Sequence, residues 1–167
     1  RIDPGMAFGT GTHPTTRLCL EAIENLVTCD RKSPTGSRLV GHPSDLTAID
    51  VGCGAGILAI AALKLGFRRA LGVDNDPEAI PVALQNAKDN GVADRLELGV
   101  GSVTEIQCGA FGLQRASLVL VNILAPTIIR LLDDGLADLL IPGGNMVLSG
   151  ILEGQLTGDN NPNPIAV

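Results

Sequence analysis

From Thr47 onward, short apolar runs alternate with longer mixed stretches, and this alternation predicts most of the fold. The apolar runs Ala48–Val51, Ala70–Val73, Arg95–Leu98, Ser117–Val121 and Asn145–Ser149 are predicted strands. Predicted helices follow the glycine-rich turn at 52–56, then span Pro77–Asn90 and Thr127–Leu140. Strand–helix alternation of this kind implies a mainly parallel sheet with helices on both faces. Ahead of it, Leu18, Ala22 and Leu26 recur at helical spacing, so a helix over Pro14–Val27 is expected to face the sheet through them. Asp76 before Pro77 reads as a cap with proline at the first helical position, and Asn90-Gly91 as a stop. Pro81 should kink that helix or delay its start, and Gly135 should weaken the last one.

The remaining stretches read as connections. Thr28 to Thr47 is polar and holds Pro34-Thr35-Gly36 and Gly41-His42-Pro43, and its length predicts mobility. Residues 1–155 read as one domain and 156–167 as a polar tail.

Composition narrows the class. A chain of 167 residues, 45% of them hydrophobic, is large enough to bury one core. The net charge of -6 argues against broad electrostatic binding to nucleic acid. No apolar stretch is long enough for a membrane helix, and no signal peptide is visible. Cys19, Cys29, Cys53 and Cys108 lack paired metal-ligand spacing, so reduced structural thiols, no metal and a cytoplasmic location are expected. The start at Arg1 is expected to reflect trimming.

The densest chemical signal is Ala48-Ile49-Asp50-Val51-Gly52-Cys53-Gly54-Ala55-Gly56, followed by Leu71-Gly72-Val73-Asp74. Tight glycine turns need positive backbone angles and let a ligand lie against bare main chain. An acidic residue about twenty positions later, at the end of the next strand, is placed to accept hydrogen bonds from ribose hydroxyls. Both features point to a nucleoside. The glycines alternate instead of following G-x-G-x-x-G, and Asp50 precedes them; a carboxylate there would repel a pyrophosphate.

This pattern resembles motif I of the class I methyltransferases that use S-adenosylmethionine, with a Rossmann-like α/β sheet. The flanking runs are more specific. Asp3-Pro4-Gly5-Met6-Ala7-Phe8-Gly9-Thr10-Gly11-Thr12-His13-Pro14-Thr15-Thr16, Val121-Asn122-Ile123-Leu124-Ala125 and Leu148-Ser149-Gly150-Ile151-Leu152 resemble the PrmA-type methyltransferases of large-subunit ribosomal protein L11. The resemblance covers about Ile2 to Gln155 and implies methylation of lysine or N-terminal amines of a ribosomal protein. It implies that Asp50, Gly52, Gly54, Gly56, Asp74, Thr15 and Asn122 surround the cofactor, with Asp50 helping to hold its ammonium and Asn122 catalytic. It also implies that a preceding recognition domain and the terminal strands of the usual sheet are absent. The last strand would then be an exposed edge. An inactive cofactor-binding fragment, or a methyltransferase of another protein or small amine, are the alternatives.

The chemistry sets its own requirement. A lysine with a pKa of about 10.4 costs roughly 4.6 kcal/mol to neutralise at pH 7. Desolvation and a nearby sulfonium supply part of this, and a neutral acceptor must orient the amine without favouring its charged form. Asn122 offers such a carbonyl, with the main-chain carbonyls of Ile123 or Leu124 as second acceptors; capping of the strand end is its other reading. Methyltransferases acting on bases carry Asn-Pro-Pro-Tyr there, whereas this chain has no Tyr or Trp. Thr15 reads equally as a helix cap, and His13 as a base or a solvated side chain. The Phe8–Thr12 loop reads as a cover over the cofactor, and Ser102 and Glu105 as neighbours of the adenine edge.

Overall fold

The computed structural model describes residues 13–28 and 45–151. Five strands form one parallel sheet in the order β3-β2-β1-β4-β5. They are β1 (Thr47–Val51), β2 (Arg69–Asp74), β3 (Leu96–Val100), β4 (Ala116–Asn122) and β5 (Leu140–Ser149). The helices are α1 (Pro14–Thr28), α2 (Ile57–Lys64), α3 (Ala79–Asp89), α4 (Val103–Gln107) and α5 (Ala125–Asp133), followed by a 3-10 turn at Leu136–Leu139.

Side-chain alternation along the strands splits the core in two. Ala48, Ala70, Leu118 and Leu120 pack under Cys19 and Ile23 of α1, the apolar α2, and Ala87 beside them. Ile49, Val51, Leu71, Val73, Val119 and Val121 face Val103 and Ile106 of α4 and Ile128 and Leu131 of α5. Each face buries a continuous apolar layer, the arrangement that the strand–helix alternation predicts. Asp50 shares the register side of Ala48 and so lies on the α1–α2 face.

Several elements differ from expectation. Helix α1 buries Thr16, Cys19 and Ile23, while Leu18 is 60% exposed. The expected stripe is therefore only partly on the core side: Leu26 packs against the core, while Leu18 turns outward and the buried line runs through Thr16, Cys19 and Ile23. Helix α3 starts at Ala79, so Pro81 falls in its first turn, where a missing N–H breaks no intrahelical bond. Asp76 caps the turn just before it, its Oδ1 accepting from Glu78 N at 2.9 Å.

The expected helix over Thr127–Leu140 is two pieces. Leu124 O accepts from Thr127 N and Ile128 N to start α5. Gly135, at φ 90°, ends that run and opens the 3-10 turn, so its effect is a break and not a mild weakening. Strand β5 begins at Leu140 rather than Asn145, and a register shift between Ala116 and Leu118 absorbs the extra length. Helix α4 was not predicted, although Ser102-Val103-Thr104-Glu105 is a capping-box signature.

Among the described residues β5 lies at one edge of the sheet, as expected. The connection at 29–44, the Phe8–Thr12 loop, Cys29, His42 and the polar tail lie outside the described residues.

Candidate active site

The C-terminal ends of β1, β2 and β4 converge, and each carries a side chain singled out in the sequence. Strand β1 runs into the glycine turn, where Gly52, Gly54 and Gly56 have φ of 77°, 50° and 78°. Only glycine adopts these angles without strain. At Gly52 a second constraint operates: a β-carbon would lie 2.7 Å from Ile123 Cγ2. Gly52 therefore excludes a side chain for the protein's own packing, before any ligand is considered.

Hydrogen bonds hold the turn from three directions. Gly52 N and Cys53 N both donate to Val73 O, at 2.9 and 3.0 Å. Asp74 Oδ2 accepts from Gly54 N at 2.8 Å, and its Oδ1 accepts from Asp76 N at 2.9 Å. Asn86, buried in α3, donates from Nδ2 to Ala55 O at 3.0 Å. Asn86 was missed in the sequence because a polar residue in an amphipathic helix gives no sign of facing inward. Asp74 is partly open, and each oxygen, with one accepted bond, retains further acceptor capacity.

Asp50 occupies a different environment. It is 1% exposed, and its Oδ2 accepts from Ala59 N at 3.1 Å in the first turn of α2. Burial pushes its carboxyl up to about 7; the Ala59 bond opposes the rise and the charge of Asp74 adds to it. Its hydrogen-bond partner is thus the N-terminus of α2, beneath the turn. Burial also raises the Cys53 thiol, with Asp50 and Asp74 adding to the effect, which marks it as an inert packing group.

Asn122, at the end of β4, is half-buried and donates from Nδ2 to Thr16 Oγ1 at 3.4 Å. Thr16 is 5% exposed. Of the main-chain acceptors considered beside Asn122, Leu124 O already accepts from two N–H groups at the start of α5. Gly150, at φ 91°, lets the end of β5 close against the Ile123 carbonyl, where any side chain would collide. The Leu124 side chain is 74% exposed beside it.

The remaining candidates are local. Thr15 Oγ1 pairs with His13 Nδ1 at 2.7 Å, and His13 O accepts from Thr16 N and Arg17 N, so both residues build the start of α1. Ser102 N donates to Glu105 Oε2 at 2.8 Å in the capping box of α4. That box follows Gly101, whose N–H donates to Asp74 O. Among the described residues no group of three or more His, Cys, Asp or Glu side chains is gathered as for a metal ion.

This arrangement has known counterparts. A family model described as ribosomal protein L11 methyltransferase (PrmA) matches residues 1–158. The ribosomal protein L11 methyltransferase of Tolumonas auensis is 47% identical over 154 residues, covering 92% of this chain and 45% of that protein. The one from Xylella fastidiosa is 44% identical over 155 residues, covering 93% and 44%. The crystal structure of the ribosomal protein L11 methylase from Lactobacillus delbrueckii superposes with a TM-score of 0.72 at 34% identity, covering 95% of this chain and 70% of that one. An RNA methyltransferase from Salinibacter ruber, in complex with S-adenosyl-L-homocysteine, gives 0.60 at 26%, covering 85% and 80%. The chain spans less than half the length of the curated relatives it matches. With the family model covering nearly all of it, the chain belongs to the ribosomal protein L11 methyltransferase family.

Proposed function

We propose that this chain is the catalytic module of an S-adenosylmethionine-dependent methyltransferase acting on lysine or N-terminal amines of ribosomal protein L11. The observation that carries the reading is the juxtaposition of two strand ends. The glycine turn is tied to Asp74 on one side, and a neutral carboxamide, Asn122, stands on the other. The names of the curated relatives supply the substrate.

The residues fit the cofactor. Three left-handed glycines expose bare main chain, and the partly open carboxylate of Asp74 retains acceptors for two ribose hydroxyls. Gly52, Gly54, Gly56 and Asp74 would hold the nucleoside and its methionine arm, with Thr15 near the mouth. Asp50 acts from below: through Ala59 N it fixes the first turn of α2, and an ammonium above the turn would favour its charged form over the protonated one that burial favours. When bound, the cofactor supplies an electrophilic methyl group on a sulfonium.

The chain's own residues prepare the acceptor. Asn122 Oδ1 accepts one hydrogen of the neutral amine and a main-chain carbonyl beside it the other, which aims the nitrogen lone pair. Neither group is anionic, so neither pulls the amine back toward its charged form. The aliphatic Ile123 and Leu124 suit a lysine stem and desolvate the amine. We read residues 1–155 as this module and 156–167 as a tail, in a cytoplasmic protein that engages neither nucleic acid nor membrane directly.

Calorimetric titration with S-adenosylhomocysteine, followed by methyl transfer to purified L11, tests the reading. Saturable one-site binding and labelled L11 are expected. Binding without transfer, in the complete gene product that carries this sequence, would reduce the role to a cofactor-binding module. Absence of binding would overturn the reading altogether.

A further inference from the structure

Among the described residues Asp50 is the one buried carboxyl group. Among those same residues it has one hydrogen-bond donor, Ala59 N at 3.1 Å, in the first turn of α2. Its register partners are Gly72 on β2 and Leu120 on β4, and neither carries charge. The ionisable groups that face it are Asp74 at the end of β2, Cys53 in the turn and Cys19 on α1. Each of these is an acid. The charged side chains of the helices packed on this face, Arg17, Glu21 and Glu24 of α1 and Lys64 of α2, are all exposed.

A carboxylate in that setting has lost its hydration, gains one N–H in return and lies near a second negative charge. Burial accordingly holds the carboxyl up to about 7. The ammonium of a bound methionine arm changes the balance, because it attracts the carboxylate and gains little from the neutral acid. We propose that cofactor uptake is coupled to proton release: Asp50 holds a proton before the ligand binds and gives it to solvent when the ammonium arrives above the turn. One O–H bond breaks, its electron pair stays on the carboxylate, and the proton passes to the buffer. The inference rests on the reading of the cofactor site given above.

The test is calorimetric titration of S-adenosylhomocysteine into the complete gene product that carries this sequence, between about pH 5.5 and 7.5. Each titration is run in phosphate and in imidazole, whose ionisation enthalpies differ, so that the heats report the protons exchanged. Wild type should release about 0.7 proton near pH 6.5, and should bind roughly 10- to 20-fold more weakly at the acid end of the range than at the other. Asp50→Asn, which mimics the protonated acid, should bind with little pH dependence, release no proton and match wild type at the acid end. Methylthioadenosine keeps the nucleoside and thioether but lacks the ammonium, and it should bind wild type without proton release. Wild-type binding of S-adenosylhomocysteine with no proton release and no pH dependence would overturn the coupling while sparing the cofactor reading. Absence of binding would overturn both. Release that persists in Asp50→Asn would assign the proton to another group, and release on binding methylthioadenosine would remove the ammonium as its cause. Either result would overturn the proposal.

Discussion

The two sides of the cleft are built on different plans. On the β1–β2 side, one short stretch of chain, Asp50 to Asn86, supplies every anchor: paired bonds to Val73 O, the Asp74 carboxylate on Gly54 N and the Asn86 amide on Ala55 O. On the β4–β5 side, the parts come from Thr16, from Asn122 and Ile123, and from Gly150, joined by a 3.4 Å contact and a close backbone approach. The first side is over-determined and locally encoded. The second exists only after α1, β4 and β5 have packed. A rigid turn suits the holding of a common cofactor, whereas a side assembled from separate segments can be tuned to a particular acceptor.

The largest expected effect comes from breaking the rigid side. Gly52→Val places a β-branched residue at φ 77° and drives its β-carbon into Ile123. Strain of roughly 1–3 kcal/mol adds to that clash, so calorimetry should show no S-adenosylhomocysteine binding. The variant should also melt at lower temperature. Because Ile123 belongs to the other side, Gly52→Val with Ile123→Ala sharpens the comparison: removal of the clash should return part of the thermal stability but no binding. Recovered binding would mean that the backbone angle at Gly52 is not needed.

The next effect concerns the buried acid beneath the turn. Asp50 has its carboxyl raised from 3.8 to about 7, so the folded chain holds this proton more tightly than the unfolded chain. Stability from this group is full below the unfolded value. It falls as pH rises from 3.8 to about 7, and is lost above that. Asp50→Asn keeps an acceptor for Ala59 N and removes the charge. It should stabilise the protein by up to about 4 kcal/mol above pH 7, with the gain shrinking toward zero near pH 4. Denaturant unfolding across that range measures it, and a pH-independent difference would place the Asp50 charge in a solvated setting.

What the sequence revealed follows the same division. Asp50, the three glycines and Asp74 fall within 25 positions, and a strand–turn–helix–strand pattern announces them without any knowledge of packing. The polar roles of Asn86 and Thr16 were invisible, since nothing local distinguishes an inward polar side chain from a solvated one. The α1 stripe holds only in part for a related reason: Leu26 packs on the core, but Leu18, which periodicity also favours, points outward while Thr16, Cys19 and Ile23 are buried. At Asn122 the family run singled out the residue, but only the packed structure shows that Leu124 O is already used and that Gly150 packs on Ile123 O.

On the proposed function the two sides of the cleft do separate work, binding on one and amine orientation on the other. This division is tested most directly by titrating S-adenosylhomocysteine into Asp74→Ala and Asn122→Ala in parallel with wild type, with L11 methylation measured on the same preparations. Asp74→Ala should lose roughly 1.5–3 kcal/mol of binding free energy, the worth of a hydrogen bond to a charged group. Asn122→Ala should bind within about threefold of wild type while its turnover falls far more steeply. If Asn122→Ala instead loses affinity in proportion to rate, or Asp74→Ala binds normally while folded, the division of labour between the two sides is contradicted.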